Sequence, residues 1–230
     1  MPEAQNQYRR AATELGRIKL ADQCHQRMPS SPPPDFGWTA GGGGSNVETM
    51  KPLFTIHAGE YLVGSHIEKC YPKWNVWVPS KDTGIDLLVT DARNSKAVSL
   101  QVKYSKDFTQ DPLHQSKFMA MGWWTHQEKK IKESKADFWV FVLPSFIERC
   151  TSFIIVPPAE LLRRFQAIHS KSKKKIQSYL LVTKSGCCWE WRGLNKADLG
   201  MIAFDRFNHS SRDFTQFLNL SGWDEIKKRL

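Results

Sequence analysis

"GIDLLVTDARNSKAVSLQVKYS", residues 84–105, is the stretch whose reading decides the fold. Ile85–Thr90 and Val98–Tyr104 read as two strands joined by the turn-like "DARNSK". Side chains alternate across a strand, so Val98, Leu100, Val102 and Tyr104 share one face, and Ala97, Ser99, Gln101 and Lys103 the other. In the earlier strand Ile85, Leu87 and Val89 form the apolar face, while Asp86 points the opposite way. Paired as a hairpin, the strands bring Asp86 beside Gln101 and Lys103: an acid, an amide and an ammonium in one small patch. Polar residues inside strands mark either a solvated face or a site, and the surrounding chain decides which.

Upstream, "TIHAGEYLVGSHIEKCY" reads as a helix with Val63, Ile67 and Cys70 among its apolar positions. Val63, Gly64 and Ile67 lie three, four and seven positions after Glu60, which puts that acid on the inward face. A carboxylate there is costly unless a cation meets it. Gly64 on the same face predicts a close approach of helix to sheet. Trp74–Ser80 alternates like a strand. Downstream, "FMAMGWWTHQEKKIKES" predicts a second helix with a charged end, and "DFWVFVLP" and "TSFIIVP" predict strands covered on both faces. "PAELLRRFQAIHS" opens as a helix should, "SYLLVT" reads as a strand, Trp189 and Trp191 face one apolar surface, and "GWDEIKKRL" closes the pattern as a helix. The order implies an α/β fold: a three-layer core with a central mixed β-sheet flanked by helices. No internal repeat is present.

The chain of 230 residues carries a formal charge of +10 and a pI near 9.4, which favours a polyanionic partner, nucleic acid or an anionic membrane face. No apolar run approaches the roughly 20 residues of a membrane helix, and Met1–Leu20 lacks the apolar stretch of a secretory signal. Five cysteines, with Cys187 and Cys188 adjacent, fit neither a disulfide framework nor a zinc site, so a reducing cytoplasm is the expected compartment. Residues 1–40 read as a helix-prone peptide or arm and 41–52 as a Gly/Ser-rich linker, leaving 53–230 as the folded domain. "GGGGS" at 41–45 has the composition of a designed tether and Met50 follows it, so the first segment is either a fused peptide or a natural arm. The glycine run lacks the Lys-Ser/Thr of a phosphate loop, and nothing resembles a Ser-His-Asp triad.

Two carboxylates with an amide or backbone oxygen form a hard-oxygen site suited to Mg²⁺ or Mn²⁺. Lys103 beside such a site would hold an attacking water or stabilise a phosphorane-like transition state. The helical Glu, then "GID" on one strand and "QVK" on the next, resembles the PD-(D/E)XK nuclease superfamily over about residues 53–184, closest to its Mrr-type branch with Gln in the middle acid position. The resemblance implies a restriction-endonuclease-like fold and a Mg²⁺-dependent endonuclease, on DNA rather than RNA, in defence against foreign DNA. It implies a catalytic set of Glu60, Asp86, Gln101 and Lys103, with the metal on Asp86, Gln101 and Glu60. Gln101 stands where many members carry an acid, removing one negative charge while keeping an amide oxygen that can accept the metal or its water.

Lys106, Lys129, Lys130, Arg163, Arg164, Lys171, Lys173, Lys174 and Lys175 form the candidate nucleic-acid track, and each reads equally as a solvated face. Of Trp123 and Trp124, one ring is expected in the core and the other half-covered; an unpaired base stacked on them is the rival reading. The rival function is an inactive module of the same fold that binds nucleic acid or a partner protein, the latter represented by the N-terminal peptide. The sequence leaves open whether a homodimer is needed to cut both strands.

Overall fold

The computed structural model describes residues 57–80, 83–109, 116–169 and 175–230, so the expected N-terminal arm and linker lie outside the described residues. The central sheet has five strands in the order β1-β2-β3-β5-β6: β1 Asn75–Trp77, β2 Leu87–Thr90, β3 Ala97–Tyr104, β5 Phe138–Ser145 and β6 Cys150–Val156. β1, β2 and β3 form an antiparallel meander, β3 runs parallel to β5, and β5 turns back antiparallel to β6. The sheet is therefore mixed, and every residue of β5 is buried, as its unbroken apolar sequence predicts.

Helices flank the sheet. On one face lie α1 Ala58–Cys70 and the C-terminal α5 Asn219–Lys227; Val63, Ile67, Trp223 and Ile226 pack with Leu87, Leu100, Val140 and Ile155. On the other lie α3 Pro158–Ile168 and a second, three-stranded sheet of β4 Phe118–Gln127, β7 Lys175–Thr183 and β8 Cys188–Glu190. Leu161, Phe165, Ala120, Trp124 and Leu180 meet Trp139 and Phe141 there.

The segment 118–134, expected as one helix, is instead the ten-residue β4 followed by the short α2 Glu128–Lys132. Met119, Ala120 and Met121 are good helix formers, so local composition there points away from a strand. The pairing with β7, from Trp123↔Tyr179 to Gln127↔Lys175, decides the conformation, as tertiary context does for β-propensity. From Gly122 onward burial has period two, with Trp124 and His126 in and Trp123, Thr125 and Gln127 out. Two elements absent from the expected pattern come after β8: α4 Lys196–Ala203, capped by Asn195, and a 3₁₀ turn at Thr215–Phe217.

The close approach of α1 to the sheet falls at Gly59, not Gly64. A Cβ on Gly59 would sit 2.8 Å from Tyr104 Cβ and 3.1 Å from Val102 Cγ1, whereas one on Gly64 meets only Val76 Cγ1 at 3.9 Å. Gly59→Ala is expected to destabilise the fold by about 1–3 kcal/mol through overpacking. Gly64→Ala should be neutral or stabilising by up to about 1 kcal/mol through helix propensity; urea unfolding of both variants checks the contrast.

Three buried groups set a pH dependence. Burial, with Lys69 nearby, pushes His66 from its ordinary 6.5 down to about 4. Burial, with Lys103 nearby, pushes His126 to about 3. Burial pushes Glu190 from 4.5 up to about 7, opposed by Arg212, whose Nη1 donates to its Oε2 at 2.8 Å. Between pH 6.5 and 4.5 the unfolded chain takes a proton on each histidine, while the folded chain keeps one on Glu190. The unfolded state thus holds one more proton, and stability is expected to fall by about 1.4 kcal/mol for each unit of pH lowered in that window. His66→Phe preserves the ring contact with Trp223 and should flatten that slope, measured as unfolding midpoints at pH 6.5 and 5.

Candidate active site

Asp86 lies one residue before β2, where the ladder with β3 ends. Its backbone N–H still donates to Leu100 O at 2.8 Å, but the next acceptor along β3 is its own side chain: Val102 N–H donates to Asp86 Oδ2 at 2.6 Å. A carboxylate oxygen thus takes the place of a strand carbonyl, which pins the acid against β3. The register Leu87↔Leu100 sets Asp86 beside Gln101, as the hairpin parity requires.

β3 divides its side chains between two faces. Val102 packs with the α1 side of the sheet, so Gln101 and Lys103 lie on the other, where Trp139 is the parallel-strand neighbour of Gln101. The Lys103 Nζ sits 5.0 Å from the centroid of the Trp139 ring, and its charge is one cause of the lowered His126 pKa.

Across β3 the first turn of α1 arrives at the same place. Glu60 Oε2 accepts the His57 backbone N–H at 3.2 Å, the acid half of a capping arrangement. Gly59 brings that turn into contact with Val102 and Tyr104. The result is a cavity of about 250 Å³ lined by His57, Gly59, Glu60, Asp86, Val102, Lys103 and Tyr104. Three of the four expected residues, Glu60, Asp86 and Lys103, therefore line one cavity from three separate parts of the chain, while the Lys103 ammonium itself reaches the Trp139 ring. Gln101 is not among its lining residues.

The donor set decides which ion suits it. Among the described residues no three His, Cys, Asp or Glu side chains are close enough to hold a metal ion together. Two carboxylates remain, each with one oxygen used inside the protein and one left over. That set fits Mg²⁺, which commonly keeps several waters and takes only one or two protein carboxylates beside the oxygens of a phosphate. The N-terminus of α1 at the same cavity favours an anion further.

Gly59 carries no sequence motif that would have singled it out as a cavity residue; the small residues in "HAGE" are the one available signal, and His57 stands out only by its nearness to Glu60. The expected basic track divides. Lys106, Lys129, Lys130 and Lys175 are exposed. Arg163 is bound by Glu160 at 2.7 Å. Arg164 is buried, bonding Glu160 and the carbonyls of Ser210 and Asp213 and lying over Phe214 and Phe217, so its charge belongs to the fold. Lys171, Lys173 and Lys174 fall outside the described residues.

Comparison of the chain with protein-family models, curated proteins and solved structures returned no match.

The double duty of Asp86 separates two substitutions. Asp86→Asn keeps an oxygen acceptor for Val102 N–H and is expected to alter stability by less than about 1 kcal/mol. Asp86→Ala leaves that N–H without its partner and should cost about 1–3 kcal/mol, read from urea unfolding.

Proposed function

We propose that the chain is a metal-dependent phosphodiester hydrolase that cuts DNA, built on a restriction-endonuclease-like core. The observation that carries this reading is the meeting of Glu60, Asp86 and Lys103 in a single cavity at the N-terminus of α1. The strand order supports the finer fold: an antiparallel meander of three strands, a crossover, then a strand parallel to the third. The resemblance of the Glu, "GID" and "QVK" elements to PD-(D/E)XK nucleases points the same way.

Asp86 and Glu60 would hold Mg²⁺ or Mn²⁺ through their remaining oxygens, with the β3 backbone as a further oxygen donor in place of Gln101, which does not line the cavity. The bound ion would supply charge neutralisation at the phosphate and a more acidic water. Lys103 carries the positive charge that faces the attacking water or the pentavalent phosphorus as negative charge builds. The positive end of the α1 dipole at the same cavity would favour the phosphate. Val102 and Tyr104 line the cavity on the β3 side.

Cleavage of plasmid and linear DNA with Mg²⁺ or Mn²⁺ tests this. The unmodified chain should cut, EDTA should stop it, and Lys103→Ala or Asp86→Asn should slow it on the order of a hundredfold or more. Equal cutting by all three proteins, or DNA binding without cutting under any metal, overturns the hydrolase.

A further inference from the structure

One face of the β4-β7-β8 sheet covers the core; the other is only half covered. Met121, Leu181 and Trp189 are sealed there with Ile202 of α4 and with Phe207. The next rung along is open to solvent on β4. It carries Trp123 opposite Tyr179, and Trp191 N–H donates to Tyr179 O at 2.9 Å. The rings of Phe108, Trp123, Tyr179 and Trp191 succeed one another with centroid separations of 6.4, 6.2 and 5.4 Å. Phe108 and Trp191 meet their neighbours edge-on and pack partly against the sealed cluster, so that Trp123 presents the exposed ring. Trp123 leaves 38% of its surface exposed, although its neighbour Trp124 is buried in the core.

What surrounds these rings is polar or cationic. The adjoining rungs pair Thr125 with Gln177 and Gln127 with Lys175. Arg192 donates to Gln177, and the Lys106 Nζ lies 5.4 Å from the Phe108 centroid. These open rungs carry no acid; Glu190 on β8 is buried and held by Arg212.

We propose that this aromatic row is a stacking surface for the unpaired bases of single-stranded DNA. Ring faces flanked by cations suit bases joined by phosphates, and a duplex hides its base faces inside its own stack. The row also adjoins the candidate active site: Trp123 N–H donates to Ser105 Oγ, one residue beyond cavity-lining Tyr104. The strand's role as a substrate rests on the hydrolase reading; its binding does not.

The test is titration of the full chain, in EDTA, with an oligothymidylate of about 12 nucleotides, a duplex of the same length, and the matching oligouridylate. Trp123→Leu should weaken the oligothymidylate about tenfold or more and leave the duplex unchanged, while Trp123→Phe restores the single-strand affinity. Tryptophan fluorescence should be quenched by the oligothymidylate in the unmodified chain and much less in Trp123→Phe, a readout that needs only the conservative variant. Equal losses on single strand and duplex, no loss from Trp123→Leu, or tighter binding of the oligouridylate overturns the stacking surface. Metal-dependent cutting with single-strand affinity indifferent to Trp123 removes this proposal alone. Trp123-dependent binding with no cutting removes the hydrolase alone.

Discussion

The hydrogen bond from Val102 N–H to Asp86 Oδ2 sets where the β2–β3 ladder stops and where the site begins. With the side chain as acceptor, β2 ends at Leu87, and β3 extends alone through Lys103 and Tyr104 beside β5. That unaccompanied length is the floor on which α1 lands. The landing needs Gly59, because any side chain there meets Tyr104 and Val102. One hydrogen bond and one missing methyl group thus bring two acids together from opposite sides of a strand.

The environment of Lys103 is shaped by the second sheet. β4 lays His126 against Trp139, Phe141 and Phe165, where burial holds the imidazole neutral at any ordinary pH. A protonated His126 would repel the Lys103 ammonium and withdraw it from the Trp139 face. Dry aromatic surroundings therefore keep one positive charge at this spot rather than two. Ser178 Oγ lies 3.0 Å from His126 Nε2 and satisfies the ring without adding charge. The second sheet, whose β4 strand the primary structure hides, shapes the electrostatics around Lys103.

The parts legible in the sequence are those whose signal is local. The β2–β3 hairpin shows in the strict alternation between Val98 and Tyr104, and the inward face of α1 in the spacing of Val63 and Ile67, though Gly59 rather than Glu60 completes its buried side. β5 is legible as an unbroken apolar run. β4 is not, because its composition favours a helix and its partner β7 lies about fifty residues away in the chain. The choice between Gly59 and Gly64 depends on the crossing point of helix over strand, which no spacing rule contains. Gln101 illustrates a third limit: alternation assigns its face correctly, yet the cavity draws on both faces near a strand end.

Charge obeys the same division between pattern and position. An arginine in the middle of an amphipathic helix looks alike whether it meets solvent or a cluster of carbonyls, and Arg163 and Arg164 take one course each. Arg164 closes the Ser210 and Asp213 carbonyls onto α3 over two phenylalanine rings, while Arg212 answers the buried Glu190. Such guanidiniums raise the pI without offering anything to a polyanion. The charge that can act outward is held by lysines such as Lys106, Lys130 and Lys175, and by Lys129, whose contact with Glu133 at 3.9 Å is an exposed pair of small worth. Surface ammoniums on flexible stems attract phosphates without fixing their register. On the proposed reading, orientation would have to come from groups held by the fold, such as the rings of Trp123, Tyr179 and Trp191 and the hydrogen-bonded Asp86.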